Sequence, residues 1–449
     1  MVKIMKVSDV INVYCSDLNH NGLGVCKIDG YPLFVQGILI GEEGKVEITK
    51  INKNFGYGQL IKITKPSPER VKPICPIFGI CGGCDIMHLN YKAQLEYKLK
   101  SANETLKRLG KIDFEIKKII GMEEPYYYRN KVQIPYQMRD GKVICGFFKK
   151  GTHDVVEFSD CFIQPKQSTE IAILIKNLAN QYGITAYNEK TRKGNLRHVL
   201  IRNTVNDDYM VVLITNENKL PHSEKIVSRI VEKYPNVKTI IQNINNKDTN
   251  VILGDEDKLL FGKETLVENI MGLDFILSYR SFFQTNHTQT EKLYSQVLEY
   301  ANPKKDEVIV DGYCGVGTIS LMLAKHAKHV YGIEIVEDAI NDAKENTKLN
   351  KIDNATFILG KTEEEIKKFT DQKIDTIVVD PPRKGCDQAL LDSIMEMEIE
   401  KIVYVSCNIA TLARDLSILE AKYEINDITV FDMFPQSAHV ESCVLLERR

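Results

Sequence analysis

The chain has 449 residues, with 59 Lys and Arg against 61 Asp and Glu, a formal net charge of −2, and 43% hydrophobic and 27% charged residues. That composition excludes a mostly disordered chain and a uniformly basic nucleic-acid coat, and the length suggests about three domains. No apolar run reaches the ~20 residues of a membrane span, and the opening Met1-Val2-Lys3-Ile4-Met5-Lys6 lacks the apolar core of a secretory leader. The expectation is a cytoplasmic protein with no membrane contact.

The average hides an asymmetry. Residues 1–150 carry 24 Lys and Arg against 15 Asp and Glu, and the remainder carries 35 against 46. A basic first third suits a surface that meets a polyanion. The competing reading is a solvated helix face, since many of these lysines fall between Lys92 and Lys118.

In chain order, residues 1–66 read as all-β. Short apolar or alternating runs at Val10 to Tyr14, Gly24 to Ile28, Tyr31 to Val35, Gly44 to Ile51 and Tyr57 to Ile63 are separated by turn residues. About five strands in so short a span predict a small closed barrel of the OB type. Pro66, Pro68 and Pro73 mark a linker. Residues 67–270 form a mixed, mostly β central segment. It holds a helix from about Leu89 to Leu109 that ends at Gly110. From about 271 to 449 strands alternate with helices, the mark of a doubly wound sheet.

The linker runs into Cys75-Pro-Ile-Phe-Gly-Ile-Cys81-Gly-Gly-Cys84. Two glycines let a short loop bring three sulfurs together. Four thiolates bind either one zinc or a four-iron cluster, so a fourth ligand is needed. Cys161, in the same central segment, is the candidate. Zinc sites commonly pair two Cys-x-x-Cys knuckles, whereas a split of three and one favours iron–sulfur. The isolated cysteines read as small buried hydrophobes.

In the third segment, Glu307 to Asp311 is a buried parallel strand that runs into Gly312-Tyr313-Cys314-Gly315-Val316-Gly317-Thr318 and a helix. Strand, glycine turn and helix open a nucleotide-binding sheet. Glu334 ends the next strand, where an acid grips ribose hydroxyls. A dinucleotide site would carry a further glycine where Ser320 stands, so the ligand read here is S-adenosylmethionine, which has no pyrophosphate. Asp375 to Asp380 is followed by Pro381-Pro382-Arg383 at the carboxyl edge, where ligands bind. Methyltransferases acting on exocyclic amines carry an aromatic where Arg383 stands, which disfavours amine methylation.

Cys407 lies at the carboxyl end of the strand Lys401 to Asn408, at the mouth of this site, and a helix begins near Ala410 whose N-terminus would stabilise a thiolate. Beside an adenosyl site such a thiolate has a use. Carbon 5 of a pyrimidine is a poor nucleophile until a thiolate adds at carbon 6. After methylation a base must remove the carbon 5 proton. Glu441 and His439 are both candidates for that base.

Taken together, the chain resembles the iron–sulfur type of 23S ribosomal RNA (uracil-C5)-methyltransferases, over nearly its whole length. The resemblance implies a multidomain α/β fold: an N-terminal OB-like β-barrel of the TRAM kind, a mixed α+β central domain with an iron–sulfur cluster, and a C-terminal Rossmann-like class I methyltransferase sheet. It implies that Cys75, Cys81, Cys84 and Cys161 hold a [4Fe-4S] cluster. Gln284 (in Ser281-Phe-Phe-Gln284-Thr-Asn286), Tyr313, Glu334 and Asp380 would bind S-adenosylmethionine, Cys407 would be the nucleophile and Glu441, ahead of His439, the base. It further implies that a helical part, 91–124, packs on the catalytic domain. The expected partner is 23S rRNA, bound by a monomer. Tyr126 to Lys131 and Gly194 to His198 are candidate RNA contacts. A tRNA uracil-C5 methyltransferase is the nearest rival, weighed against because those enzymes generally lack the barrel and the cysteine loop. A non-catalytic iron–sulfur RNA-binding protein is the rival of another class.

Overall fold

The structure is a computed structural model and describes residues 5–449; the first four residues of the stretch read for a leader lie outside the described residues. Five strands close a barrel in the order Val10–Leu18, Gly24–Ile28, Tyr31–Gln36, Gly56–Lys65, Glu43–Ile51. Its interior is filled by the inward residues of each strand, among them Val13, Cys15, Cys26, Leu33, Val35 and Val46, which are buried while their neighbours face out. Arg70 closes the linker onto the barrel by a bidentate pair with the fully buried Glu42.

The helix Tyr91–Thr105 starts where the Asn90 side chain accepts from the Ala93 N–H at 2.9 Å. It continues as a wider turn, Leu106–Gly110, and ends there. From residue 111 the chain is extended, so the helical part expected to run to 124 is shorter. The extended stretch buries Ile112 and Ile116 in the core of the C-terminal domain and adds the strand Lys118–Ile120 to the edge of its sheet.

The central sheet has seven strands in the order Glu256–Gly262, Val237–Ile244, Tyr209–Thr215, Leu196–Asn203, Lys131–Arg139, Lys142–Phe148, Val155–Glu157. The helices Lys166–Gln181 and Ser223–Lys233 bury their apolar sides against it. The C-terminal sheet has eight strands in the order Ala355–Leu359, His329–Glu334, Val308–Gly312, Thr376–Val379, Lys401–Ser406, Glu441–Arg448, Tyr423–Phe431, Lys118–Ile120. Its first five strands are parallel and Glu441–Arg448 runs antiparallel between two others. Strands such as Val308–Gly312 are wholly buried, as expected of a sheet covered on both faces. No helix of the described residues is long and apolar enough to cross a membrane.

Candidate functional site

At the carboxyl edge of the parallel strands lies a cavity of about 1010 Å³. Its lining includes Gln284, Tyr313, Glu334 and Asp380, expected to bind the donor, with Cys407 and Glu441, expected as nucleophile and base. Parallel strands all end on one side, so residues far apart in sequence meet where the strand order reverses.

At one end, the turn after Val308–Gly312 takes unusual backbone. Tyr313 has φ 66°, a costly conformation for a bulky residue, and Gly317 has φ 83°. A Cβ on Gly317 would come within 2.7 Å of the Phe357 ring. The Glu334 carboxylate is fixed by three backbone donors, Gly315 at 3.1 Å, Ile335 at 2.8 Å and Val336 at 2.9 Å. Asp311, which sequence reading passed over as a strand residue, is buried beneath the turn. Ser320 donates to one of its oxygens, and the other has no partner. Burial pushes this carboxyl up to about 7. Its sequence signal was its place at the end of the first strand, just before the glycine turn.

Gln284 sits on a loop held from the central domain. Buried Arg202 donates to the carbonyls of Ser278 at 2.7 Å and Ser281 at 2.9 Å. The Asn130 amide donates to the Gln284 carbonyl at 3.2 Å, and its backbone N–H to Thr285 at 2.8 Å. Asn286 then caps the helix His287–Ala301 and donates to Met433 at 3.0 Å.

At the other end, the strand Lys401–Ser406 pairs with Glu441–Arg448 from Lys401 opposite Glu447 to Ser406 opposite Ser442. Cys407 follows that last pair on one strand and Glu441 precedes it on the other, and the Glu441 charge reaches the Cys407 thiol and raises it. Glu441 is buried and its Oε1 has no partner. Burial, then the Asp380 charge, hold its carboxyl well above the usual range, and Arg383 pulls it back. Burial also pushes Asp380 up to about 6.

Cys407 differs from expectation. The helix Ile409–Leu419 does start two residues on, capped by Asn408, whose side chain accepts from Ala410 at 3.0 Å. Yet burial, with the charges of Glu441 and Asp380, pushes the thiol up to about 11, against the opposing charge of Arg383. Desolvation and two carboxylates outweigh the helix end, so the resting group is a thiol. His439 also lines the cavity, lowered from its ordinary value first by burial and then by Arg383.

Cys75, Cys81, Cys84 and Cys161 stand apart from this cavity, around a loop in which Cys81 N–H donates to Ile77 at 3.0 Å and Gly82 N–H to Phe148 at 3.0 Å. All four are free and half-buried. Each of the six pairs among them is close enough for one charge to raise the other thiol. Burial is the largest cause for each, and it takes Cys161 up to about 12. Among the described residues no three His, Cys, Asp or Glu side chains converge as ligands of one metal ion.

The two candidate RNA-contact segments are largely structural. In the first, Tyr128 donates to Pro435 at 3.0 Å, Lys131 donates to Tyr279 at 3.2 Å, and Asn130 holds the Gln284 loop. In the second, buried Arg197 stacks on Tyr187 and donates to Asn245 at 2.7 Å and Lys247 at 3.0 Å.

The family model described as tRNA (Uracil-5-)-methyltransferase matches residues 90–449, and that of the TRAM domain matches residues 6–61. An RNA methyltransferase of uncharacterised function from Halalkalibacterium halodurans is 46% identical over 445 residues, covering 98% of this chain and 97% of that protein. One from Clostridium acetobutylicum is 46% identical over 451 residues, covering 99% and 98%. Among solved structures, the Pyrococcus abyssi tRNA (uracil-54, C5)-methyltransferase in complex with S-adenosyl-L-homocysteine is 29% identical, with a TM-score of 0.80, covering 97% of this chain and 99% of that one.

Proposed function

The chain belongs to the RNA (uracil-5-)methyltransferase family, with S-adenosylmethionine as methyl donor and RNA as substrate, and from that premise we propose that it makes 5-methyluridine in 23S rRNA through a covalent Cys407 adduct. The observation that carries the mechanism is that Cys407 and Glu441 line one cavity, near enough for the carboxylate's charge to act on the thiol. Gln284, Tyr313, Glu334 and Asp380 would hold the donor, and the unpartnered oxygen of Asp311 in an acidic lining suits its cationic groups. Bound there, S-adenosylmethionine supplies an electrophilic methyl group.

A uridine in folded RNA must leave its stack to reach this depth. The Cys407 thiol gives its proton to solvent, and the thiolate adds to carbon 6 of the ring. The ring's electrons shift to an enolate, and carbon 5 takes the methyl group. The Glu441 carboxylate then removes the proton from carbon 5, the carbon–sulfur bond breaks to restore the carbon 5–carbon 6 double bond, and proton exchange with solvent returns Glu441 to the carboxylate and Cys407 to the thiol. A carboxyl held above its usual range is a stronger base once ionised, which suits this step.

The four cysteines are assigned as ligands of a four-iron cluster. Their mutual proximity would let the four thiols hold such a cluster, which would supply structural or redox chemistry there. None of the steps above passes through it.

The test is to map 5-methyluridine in rRNA from cells with and without the protein, and to assay variants on unmodified transcript. Cys407→Ala should abolish transfer; full activity would sink the mechanism. Glu441→Gln should leave a protein–RNA adduct that survives a denaturing gel, because elimination is blocked. A second reading, a tRNA uridine as target, is favoured by the Pyrococcus enzyme, whose match spans the barrel as well. The barrel therefore does not separate the two substrates, and methylation of tRNA and 23S transcripts side by side decides.

A further inference from the structure

The loop that leads into Glu441 is held from outside its own domain. Phe434 and His439 line the cavity, and Gln436 stands between them. Gln436 is 1% exposed and has φ 71°, a strained conformation for a residue with a side chain. Such strain persists only where the surroundings over-determine it. Here its carbonyl accepts from Asp85 at 2.9 Å and Ile86 at 3.1 Å, the residues that directly follow Cys84. Its side chain and backbone make a reciprocal pair with the buried Gln94 amide, at 3.0 and 3.1 Å. Its own amide donates to Pro125 at 3.3 Å.

The same loop has further ties to the cysteine region. The Asp85 carboxylate accepts from Ala438 at 3.5 Å and from Lys150 at 3.0 Å, and Lys150 N–H reaches Ile80 inside the cysteine loop. On the Cys161 side, Tyr127 and Arg129 donate to Phe162 and Ile163 at 2.9 Å each, and Tyr128 between them donates to Pro435. Both arms of the cysteine site thus end on residues 435–438.

We propose that Gln436 is a positioning residue through which the cysteine site sets the place of Glu441, so that ordering of the four cysteines governs proton removal rather than RNA capture. This rests on the assignment of Glu441 as base and of the cysteines as cluster ligands. A hydrogen-bonded hub five residues from a base acts through geometry, and a displacement of about 1 Å at such a group costs on the order of a hundredfold in rate.

The experiment uses the full-length protein purified anaerobically. Gln436→Ala should lower kcat by roughly ten- to a hundredfold, leave KM for RNA within about twofold, and accumulate covalent protein–RNA adduct as Glu441→Gln does. Gln436→Gly, which accepts the left-handed turn without strain, keeps the carbonyl contacts and serves if the alanine variant does not fold; it should show the same pattern more weakly. Independently of activity, amide hydrogen exchange over residues 434–441 should quicken when iron is stripped from the wild-type protein, while the parallel strands stay protected.

Unchanged kcat in both variants, a kcat loss matched by an equal loss of adduct formation, or exchange at 434–441 that ignores iron removal would each overturn the inference. Protein that carries no iron overturns the cluster assignment itself, and absence of adduct with Glu441→Gln overturns the base. Those two failures are thereby told apart from failure of the coupling.

Discussion

Arg383 shows how much one exposed side chain decides in a buried site. It follows Pro381 and Pro382 at the cavity wall, where it favours the ionised forms of both Cys407 and Glu441. The sign of its effect is fixed. A thiol raised to about 11 by burial and carboxylates rises further when the opposing cation is removed. In wild type, alkylation of Cys407 by iodoacetamide should quicken with rising pH up to about 11, because only the thiolate reacts. For Arg383→Met the midpoint should move to higher pH and the rate at about pH 8 should fall severalfold. Mass spectrometry of the Cys407 peptide reads this without any methyl transfer, and a midpoint that stays or drops would refute the charge role. At this scale the sequence is legible where a motif names an atom. Cys407 and Glu441 stand out because the proposed chemistry demands a nucleophile and a base, and strand order carries both to one cavity. The resting state of Cys407 is not legible, because desolvation depends on what packs over the sulfur and no local pattern records that.

Elements teach the same lesson through Lys98. By sequence it is one lysine among many on a helix that reads as a solvated face. In the fold both it and Asp432 are completely buried, and Lys98 donates to the Asp432 carboxylate and to the Phe434 carbonyl at 3.1 Å. Tyr91 donates to the same carboxylate at 2.8 Å, so the helix Tyr91–Thr105 is fastened to the strand end that starts the base loop. Removing one partner strands a charge in low dielectric, so Lys98→Met should destabilise the protein by about 3–5 kcal/mol. Lys98→Met with Asp432→Asn should recover a large part of that loss, as read by urea denaturation of the two variants. Equal urea midpoints for wild type and Lys98→Met would show the pair to be dispensable. The strand Lys118–Ile120 escapes sequence reading for a related reason. Three residues carry no period, and their pairing with Thr429 to Phe431 is set by the core that Ile112 and Ile116 enter. The charged edge strand Glu256–Gly262 is largely exposed and shows no buried face to read.

Over the whole molecule, the near-zero net charge conceals a division of labour between a basic first third and an acidic remainder that contains the cofactor cavity. The helix joins them: Tyr97 donates to Asn19 of the barrel at 2.7 Å and Lys100 pairs with Asp17 at 2.8 Å, while Lys98 of the same helix pairs with Asp432 in the remainder. On the barrel, Phe34, Phe55 and Tyr57 form one cluster with ring centres 5.7 to 5.9 Å apart, and Lys50 lies directly across the ladder from Tyr57. Rings that bases can stack on, beside cations that phosphates can meet, are what single-stranded RNA asks of a surface. Affinity for RNA should therefore fall steeply with salt, with a logarithmic slope that shrinks by roughly 0.7 for each phosphate no longer neutralised by a lysine. Replacing the exposed Lys50, Lys53 and Lys62 with Ala should weaken RNA binding and flatten the slope by about 2. S-adenosylmethionine affinity should not change, since the site proposed for it lies on the C-terminal sheet. The same replacement at Lys107 and Lys111, exposed near the end of the helical stretch, separates the alternatives. A slope altered only by the helix set would move the RNA path off the barrel. A slope altered by neither would return the excess of lysines to a solvated surface and leave RNA capture to the catalytic and central domains.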